Sequence, residues 1–235
     1  MENIISSKGL MISEKEKSES IKEYLYRVIR TNIIYGYLSP GDVISENYLA
    51  EVFHVSRTPI REATAHLVND ELLEVYPQKG TYVSHIDMKR VKEATILRQL
   101  LEVEACQRSC EEITEERVYQ LEANLNAQQF YYGQNKLIEV MELDNDFHKL
   151  IFESVSLLRI WNAIQTISYD SERVRYLKLS NHFRWEETLK EHWEIAEGIK
   201  QRDKKLVSEL MAKHVGKLYE DAEKVREKYK EWFAG

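Results

Sequence analysis

The distribution of proline divides this chain into two regions with different folding possibilities. Pro40, Pro59 and Pro77 are its only prolines, so no residue after position 77 is a proline. The glycines of that long remainder are Gly80, Gly133, Gly198, Gly216 and Gly235. Long helices tolerate such a composition, whereas sheets with tight turns usually need more glycine. The sequence therefore predicts a small mixed domain followed by an all-helical one, with the boundary near residues 84–87.

The remaining composition limits the class of protein. The chain has 235 residues, of which 43% are hydrophobic and 31% charged, as in one or two globular domains. Its apolar runs are too short for a transmembrane helix, and its N-terminus lacks the basic start and apolar core of a secretory signal. Cys106 and Cys110, its two cysteines, suit a reducing cytosol. We therefore expect a cytoplasmic protein whose residues 1–18 form a flexible tail.

The charge balance argues against nucleic-acid binding through the overall electrostatic field. The chain carries a formal net charge of −7, and residues 1–86 contain 9 Lys/Arg against 12 Asp/Glu. Neither this region nor the remainder is basic. Any contact with DNA therefore has to come from a local patch.

Three helices are predicted between residues 19 and 86. Apolar residues recur at helical spacing over about 19–35, 46–53 and 56–69. Ser56 is a good N-cap for the third helix, and Pro59 stands in its first turn, where a missing N–H costs nothing. Arg57 and Arg61 lie one turn apart near the start of this helix and off its apolar stripe.

A predicted hairpin follows the third helix. Leu73 and Val75 alternate with polar neighbours, residues 77–80 form a turn, and residues 81–85 return. Three helices and a hairpin, with arginines at the start of the third helix, describe a winged helix-turn-helix domain over residues 19–86.

The region 87–235 is predicted to be an all-α antiparallel bundle. Helices are expected at about 87–111, from 114, and at 134–153, 156–179, 184–202 and 203–230, which is enough for such a bundle.

Five polar side chains occupy apolar stripes of these helices and therefore point inward. They are Arg98, Asp144, His148, His192 and His214. Burying them without partners would be costly. One such histidine alone is more often a hydrogen-bonded core residue than a ligand. One carboxylate and three imidazoles together are suitable ligands for a divalent transition metal, zinc before nickel or manganese.

Two stretches resemble a known family of bacterial transcription regulators. LAEVFHVSRTPIREA and the wing PQKGTYV are similar to the DNA-binding domain of the GntR superfamily. ATILRQLLEVEA, LDNDFHKLIFE, EHWEIAEGI and the late His214 resemble the helical effector domain of its FadR subfamily, the FCD type. This resemblance implies that Asp144, His148, His192 and His214 bind a metal, and that Arg98 lines an effector pocket.

The same resemblance implies which residues contact DNA. The third helix would enter the major groove, where an arginine fork can donate to both O6 and N7 of guanine. The wing tip would approach the minor groove. The residues so implied are Ser56, Arg57, Thr58, Arg61, Lys79 and Gly80.

The sequence therefore predicts a homodimeric, non-enzymatic transcription regulator. It would bind a two-fold operator in double-stranded DNA under the control of a small organic acid bound beside the metal. Two alternatives remain. The metal itself could be the signal, or the helical domain could be a metal-dependent hydrolase, although only Glu191 adjoins a predicted ligand as a candidate base.

Overall fold

The computed structural model describes residues 9–235, which form two compact units. The first unit contains the described residues up to Asp87 together with Tyr229–Gly235, and the second contains Met88–Lys228. Among residues 9–235, no helix has both the length and the apolar character that a membrane crossing requires.

The first unit is a winged helix-turn-helix, as predicted. Its elements are α1 (Ile21–Ile34), β1 (Val43–Ile44), α2 (Glu46–Val52), α3 (Arg57–Asn69), β2 (Leu73–Tyr76) and β3 (Gly80–Val83). The hairpin β2–β3 is antiparallel and pairs Leu73 with Val83. The sequence did not predict β1, which pairs with β3 and extends the hairpin to three strands in the order β1-β3-β2.

A local capping signal sets the start of α1, and an apolar face sets its packing. Ser20 and Glu23 form a capping box, in which each side chain accepts a hydrogen bond from the other's backbone N–H. Leu25 and Ile29 lie fully buried on its inner face, and the helix packs against α3. At the start of α3, Ser56 takes the N-cap position but its side chain makes no capping hydrogen bond.

Part of the predicted N-terminal tail is held against α1. Residues 1–8 lie outside the described part of the chain. The backbone N–H of Met11 donates to the side-chain oxygen of Asn32, and the Asn32 amide donates back to the Met11 carbonyl. Tyr24 donates to the carbonyl of Ser13. Residues 11–13 therefore differ from the free tail that the polar composition predicted.

The second unit is an all-α bundle, as expected. Its helices are α4 (Met88–Glu112), α5 (Glu115–Gly133), α6 (Leu137–Ser154), α7 (Leu158–Thr166), α8 (Tyr169–Ser180), α9 (Trp185–Lys200) and α10 (Lys204–Lys228). The single helix predicted at 156–179 is two helices, α7 and α8. They are separated at Ile167 and Ser168, whose backbone N–H groups donate to the carbonyls three residues back, at 3.2 and 3.3 Å, instead of four residues back.

The longest helices, α4 and α10, form an antiparallel pair. The Gln99 amide donates to the carbonyl of Ala212 at 2.8 Å, and the Gln107 amide donates to the hydroxyl of Ser208 at 2.7 Å. Residues later in α4 thus contact residues earlier in α10. Met88 and Lys228 consequently lie at the same end of the pair.

The end of the chain belongs to the winged-helix unit, whereas the sequence placed it in a helical domain spanning 87–235. After α10, a 3₁₀ turn at Lys230–Trp232 leads to an extended end. Phe233 forms a parallel bridge with Ile86 and is only 5% exposed. We call residues 229–235 the C-terminal strap.

Two glycines of the helical unit allow a matched test of its packing. A Cβ on Gly198 would lie 2.7 Å from Cγ1 of the buried Val207, whereas a Cβ on Gly133 would meet nothing within 4 Å. We expect Gly198→Ala to lower the free energy of unfolding by about 1–3 kcal/mol because it overpacks the α9–α10 contact. Gly133→Ala should leave it unchanged or raise it by up to about 1 kcal/mol. Urea denaturation compares the two, and equal stabilities would contradict the packing described.

Candidate metal centre and DNA-binding surface

Three histidines from three helices meet inside the bundle. His148 comes from α6, His192 from α9 and His214 from α10, and one ligand atom of each lies within 4.8 Å of the others. His192 has no exposed surface and His148 is 2% exposed. The Nε2 atoms of His192 and His214 are 3.2 Å apart. The fold thus brings together three of the four side chains that the sequence predicted as metal ligands.

Each histidine has its Nδ1 atom engaged on the side away from the cluster. Nδ1 of His148 lies 2.6 Å from Glu102 Oε2, and Nδ1 of His214 lies 2.9 Å from Glu191 Oε2. Because carboxylates only accept hydrogen bonds, Nδ1 of His214 carries the proton, and the close contact with Glu102 favours the same tautomer of His148. Nδ1 of His192 is 3.3 Å from the acceptor Oε1 of Gln128, which favours the same tautomer.

These outer partners leave the Nε2 lone pairs directed into the cluster. Two Nε2 lone pairs 3.2 Å apart cannot hydrogen-bond to each other, but both can bind one cation. Histidine ligands of metals typically donate their other N–H to a carboxylate or carbonyl in this way. The donor set therefore fits a divalent metal of the zinc type.

Burial keeps two of the imidazoles in the neutral form that binds metals. Desolvation, helped by the neighbouring His214 and His148, lowers the pKa of His192 well below its usual value. Desolvation likewise lowers the pKa of His214 to about 4, against the opposing hydrogen bond to Glu191. Burial opposes the charged form of Glu191, but its hydrogen bonds with His214 and Lys217 outweigh this and lower its pKa to about 2.

Asp144, the fourth predicted ligand, stands between two partners. Its Oδ1 atom lies 3.6 Å from Nε2 of His192, while its Oδ2 atom forms an ion pair with Arg175. Asp144 is 5% exposed, so both oxygens depend on partners within the protein. The carboxylate is next to the histidine cluster but is shared with a cation.

A cavity beside the histidines is lined by basic side chains. Arg98, Arg175 and Lys178 line it together with Asp144, His148 and His214. The Arg98 guanidinium donates to Glu102 Oε1 at 2.6 Å, and Lys178 pairs with the buried Asp221 at 2.8 Å. Desolvation lowers the pKa of Lys178, although Asp221 opposes this. Acids of the protein thus hold two of these cations in place at the cavity wall.

Two aromatic side chains form an apolar wall of the same cavity. Phe183 and Trp185 line it, with Trp185 only 5% exposed. The buried indole Nε1 of Trp185 has no hydrogen-bond partner within residues 9–235. A buried donor without a partner is costly, and a bound molecule could supply the acceptor.

The predicted DNA-contacting residues of α3 all lie on the surface. Ser56, Arg57, Thr58 and Arg61 are exposed at or near the N-terminal end of this helix. The first backbone N–H groups of a helix and its dipole favour a phosphate there. Arg61 donates from Nε to Glu46 Oε2 on α2 at 2.8 Å, so its side chain has a defined orientation.

The tip of the β2–β3 hairpin carries the other two predicted contacts. Lys79 and Gly80 are both exposed, and Gly80 has a φ of +130° that favours glycine. A wing with a basic tip and no Cβ at this point can approach a phosphate backbone closely.

Family models match both units. The model for bacterial regulatory proteins of the gntR family matches residues 21–83, and the FCD domain model matches residues 93–217, more than half of the chain. The chain belongs to the GntR family. It is a transcriptional regulator with a winged helix-turn-helix DNA-binding domain and an FCD domain, as the sequence predicted.

Individual relatives agree with this assignment. This GntR protein is 30% identical to the HTH-type transcriptional repressor RspR of Escherichia coli K12, over 92% of its own length and 95% of the relative's. It is 28% identical to the gluconate operon transcriptional repressor of Bacillus licheniformis, over 92% and 90%. The names of these relatives describe regulators, which confirms the prediction that the protein is not an enzyme.

A solved structure supports the fold. The structure of E. coli McbR/YncC matches with a TM-score of 0.74 at 19% identity, covering 90% of this chain and 99% of that one. This likeness confirms the mainly α architecture.

Sequence reasoning missed several residues around the GntR protein's site. The acceptors Glu102 and Gln128 and the cation Lys178 were not among its candidates, and Glu191 was considered only as a base for the alternative hydrolase. Only Glu102 had a signal, because it lies one helical turn after Arg98 and so shares its face. The others have the polar character of ordinary surface residues.

The acceptor groups next to the Nδ1 atoms of the histidines should control metal affinity. We expect Glu191→Gln to weaken zinc binding by about 10- to 100-fold, because the carboxylate orients His214 and raises its basicity. Glu186→Gln, an exposed change on the same helix, should keep wild-type affinity. Competition with a chromophoric chelator measures both. Equal affinities for the two variants would show that Glu191 does not support the site.

Proposed function

We propose that this GntR regulator binds its operator under the control of a small carboxylic acid held beside a divalent metal in the FCD domain. The observation that carries the proposal is the cluster of three imidazoles, two of them buried and the third half-buried, each with an acceptor oxygen close to its Nδ1 atom. His148, His192, His214 and Asp144 would hold the metal. A bound metal would supply positive charge and open positions for an acid's oxygens.

Asp144 and Arg175 link the two binding events. Asp144 can face either the Nε2 cluster or Arg175, since one oxygen lies near each. When Asp144 serves as a metal ligand, less of its charge compensates Arg175. The guanidinium then gains affinity for an acid in the cavity, where it can bind a carboxylate through two parallel hydrogen bonds. Arg98 and Lys178 would add charge on the same side.

The relatives suggest which acid to try first. Gluconate operon repressors of two Bacillus species are similar to this chain. A sugar acid offers one carboxylate for the arginines and several hydroxyl oxygens. One of these could accept the unpaired N–H of Trp185. Gluconate is therefore our first probe, followed by other small mono- and dicarboxylic acids.

The DNA-binding unit would place α3 in the major groove. Arg57 and Arg61 would read base edges or phosphates, and Ser56 and Thr58 would bind the backbone at the helix start. Lys79 and Gly80 would contact the adjacent groove. Because one such unit reads only a short half-site, we propose that a homodimer reads a two-fold operator in the cytoplasm. Ile96 and Leu100, one turn apart on α4 and 49% and 67% exposed, support self-association.

A second candidate is a regulator for which the metal itself is the signal. What favours it is that the histidine cluster with its acceptors is complete without any organic ligand. Operator binding that responds to zinc and EDTA, with no further response to any acid, would select this candidate.

Arg61 provides a direct test of the reading helix. We expect Arg61→Ala to weaken operator binding by about 1–3 kcal/mol and to relax discrimination at one base pair. Lys22→Ala removes one exposed charge from α1 and should change affinity little. Fluorescence anisotropy on a duplex selected by the wild-type protein measures both and also gives the number of chains bound. Wild-type affinity for Arg61→Ala, or one chain per two-fold duplex, would contradict the proposal.

Arg175 provides the test of the cavity. We expect gluconate or another small acid to raise the melting temperature of zinc-loaded protein, because it binds the folded state only. EDTA treatment should remove this shift, and Arg175→Ala should weaken acid binding at least about tenfold. Arg159→Ala, exposed on α7, is the charge-matched control. Acid binding that survives both EDTA and Arg175→Ala would place the effector elsewhere.

A further inference from the structure

The C-terminal strap is built into the winged-helix unit by backbone and side-chain contacts. The N–H of Ile86 donates to the Trp232 carbonyl, and the N–H of Ala234 donates to the Ile86 carbonyl, both at 2.9 Å. Ile86 is fully buried and Phe233 is 5% exposed. Two hydrogen bonds to one residue together with a buried aromatic ring make this a specific docking arrangement.

Gly36 forms the other half of the docking site. It follows α1 with a φ of +70°, and a Cβ built on it would lie 2.7 Å from the Trp232 ring. The indole therefore packs directly on a backbone without a side chain. The strap thus contacts the chain after α1 at Gly36 and after β3 at Ile86.

The strap also gives the two units a second covalent connection. The chain passes between them at Asp87–Met88 and again at Lys228–Tyr229. Both crossings continue helices that line the cavity, since α4 carries Arg98 and α10 carries His214 and Leu218. These helices form the antiparallel pair whose ends at Met88 and Lys228 lie together.

We propose that the strap is a second tether, through which the position of α10 controls operator binding by the winged-helix unit. The proposal rests on the regulated DNA binding proposed above and adds a route for it. Ligand binding at His214 acts on α10, and the docked strap joins the end of α10 to the residues after α1 and β3. With one connection the winged-helix unit could swivel about a single peptide, whereas two connections restrict that rotation.

Two pairs of variants of the full chain distinguish the effect of undocking the strap from other effects of a substitution. Gly36→Ala and Gly41→Ala both place a side chain at positive φ, but only the first meets Trp232, since nothing lies within 4 Å of a Cβ at Gly41. Phe233→Ala removes the buried ring, and Glu231→Ala changes an exposed residue of the same strap.

The probe is zinc alone, and the first measurement is the ratio of operator affinities with zinc and with EDTA. The wild type, Gly41→Ala and Glu231→Ala should show a ratio that differs from one by about fivefold or more. Gly36→Ala and Phe233→Ala should bring the ratio close to one while zinc affinity stays unchanged. If both keep the wild-type ratio, regulation stands and the tether proposal is overturned.

Hydrogen exchange at the amides of Ile86 and Ala234 decides the remaining case. If the wild-type ratio is one, zinc regulation of operator binding fails as a proposal. The mechanical link from α10 to the strap still stands if zinc slows exchange at these two amides in the wild type and not in Phe233→Ala. It is overturned if zinc leaves their exchange unchanged.

Discussion

His192 has no exposed surface and lies where α5, α6, α9 and α10 meet. The neighbouring helices have to supply partners for both of its ring nitrogens. Its ring stacks on Phe147 with centroids 4.4 Å apart, and its Nδ1 atom faces Gln128. Its Nε2 atom faces His214. A buried imidazole has to satisfy a donor on one side and a lone pair on the other. The neighbouring helices supply the acceptor, and the lone pair remains for a ligand.

Shared acids connect this cluster to the basic cavity wall. Glu102 accepts a hydrogen bond from Arg98 and contacts His148 with its other oxygen, and Asp144 lies between Arg175 and the cluster. Buried carboxylates of this kind hold two partners at once, so a change in the charge seen by one partner alters the other. In the function proposed above, metal occupancy and anion binding would therefore be coupled through neighbouring side chains, without any need for a large movement.

The sequence predicted the parts of the molecule that depend on local patterns. The four-residue spacing of Asp144 and His148 placed them on one inner face, and the third-helix arginines proved exposed. It failed where the deciding partner is distant or the signal is short. The two residues of β1 form a strand only because β3 lies beside them. The break between α7 and α8 lies at Ile167 and Ser168, where no proline or glycine indicates it.

The end of the chain is a second region where prediction from the sequence fails because the contacting residues are distant in sequence. Trp232 and Phe233 follow a charged helix that the sequence predicted to end at about residue 230, and no local pattern indicated where they would pack. Their true environment consists of Gly36 and Ile86, which belong to the other end of the sequence. A glycine with positive φ normally indicates a turn. Here it also receives an aromatic ring, so the residue that ends α1 simultaneously fixes the last residues of the chain. Sequence order therefore does not define the DNA-binding unit, because residues 229–235, which follow α10, belong to it as well.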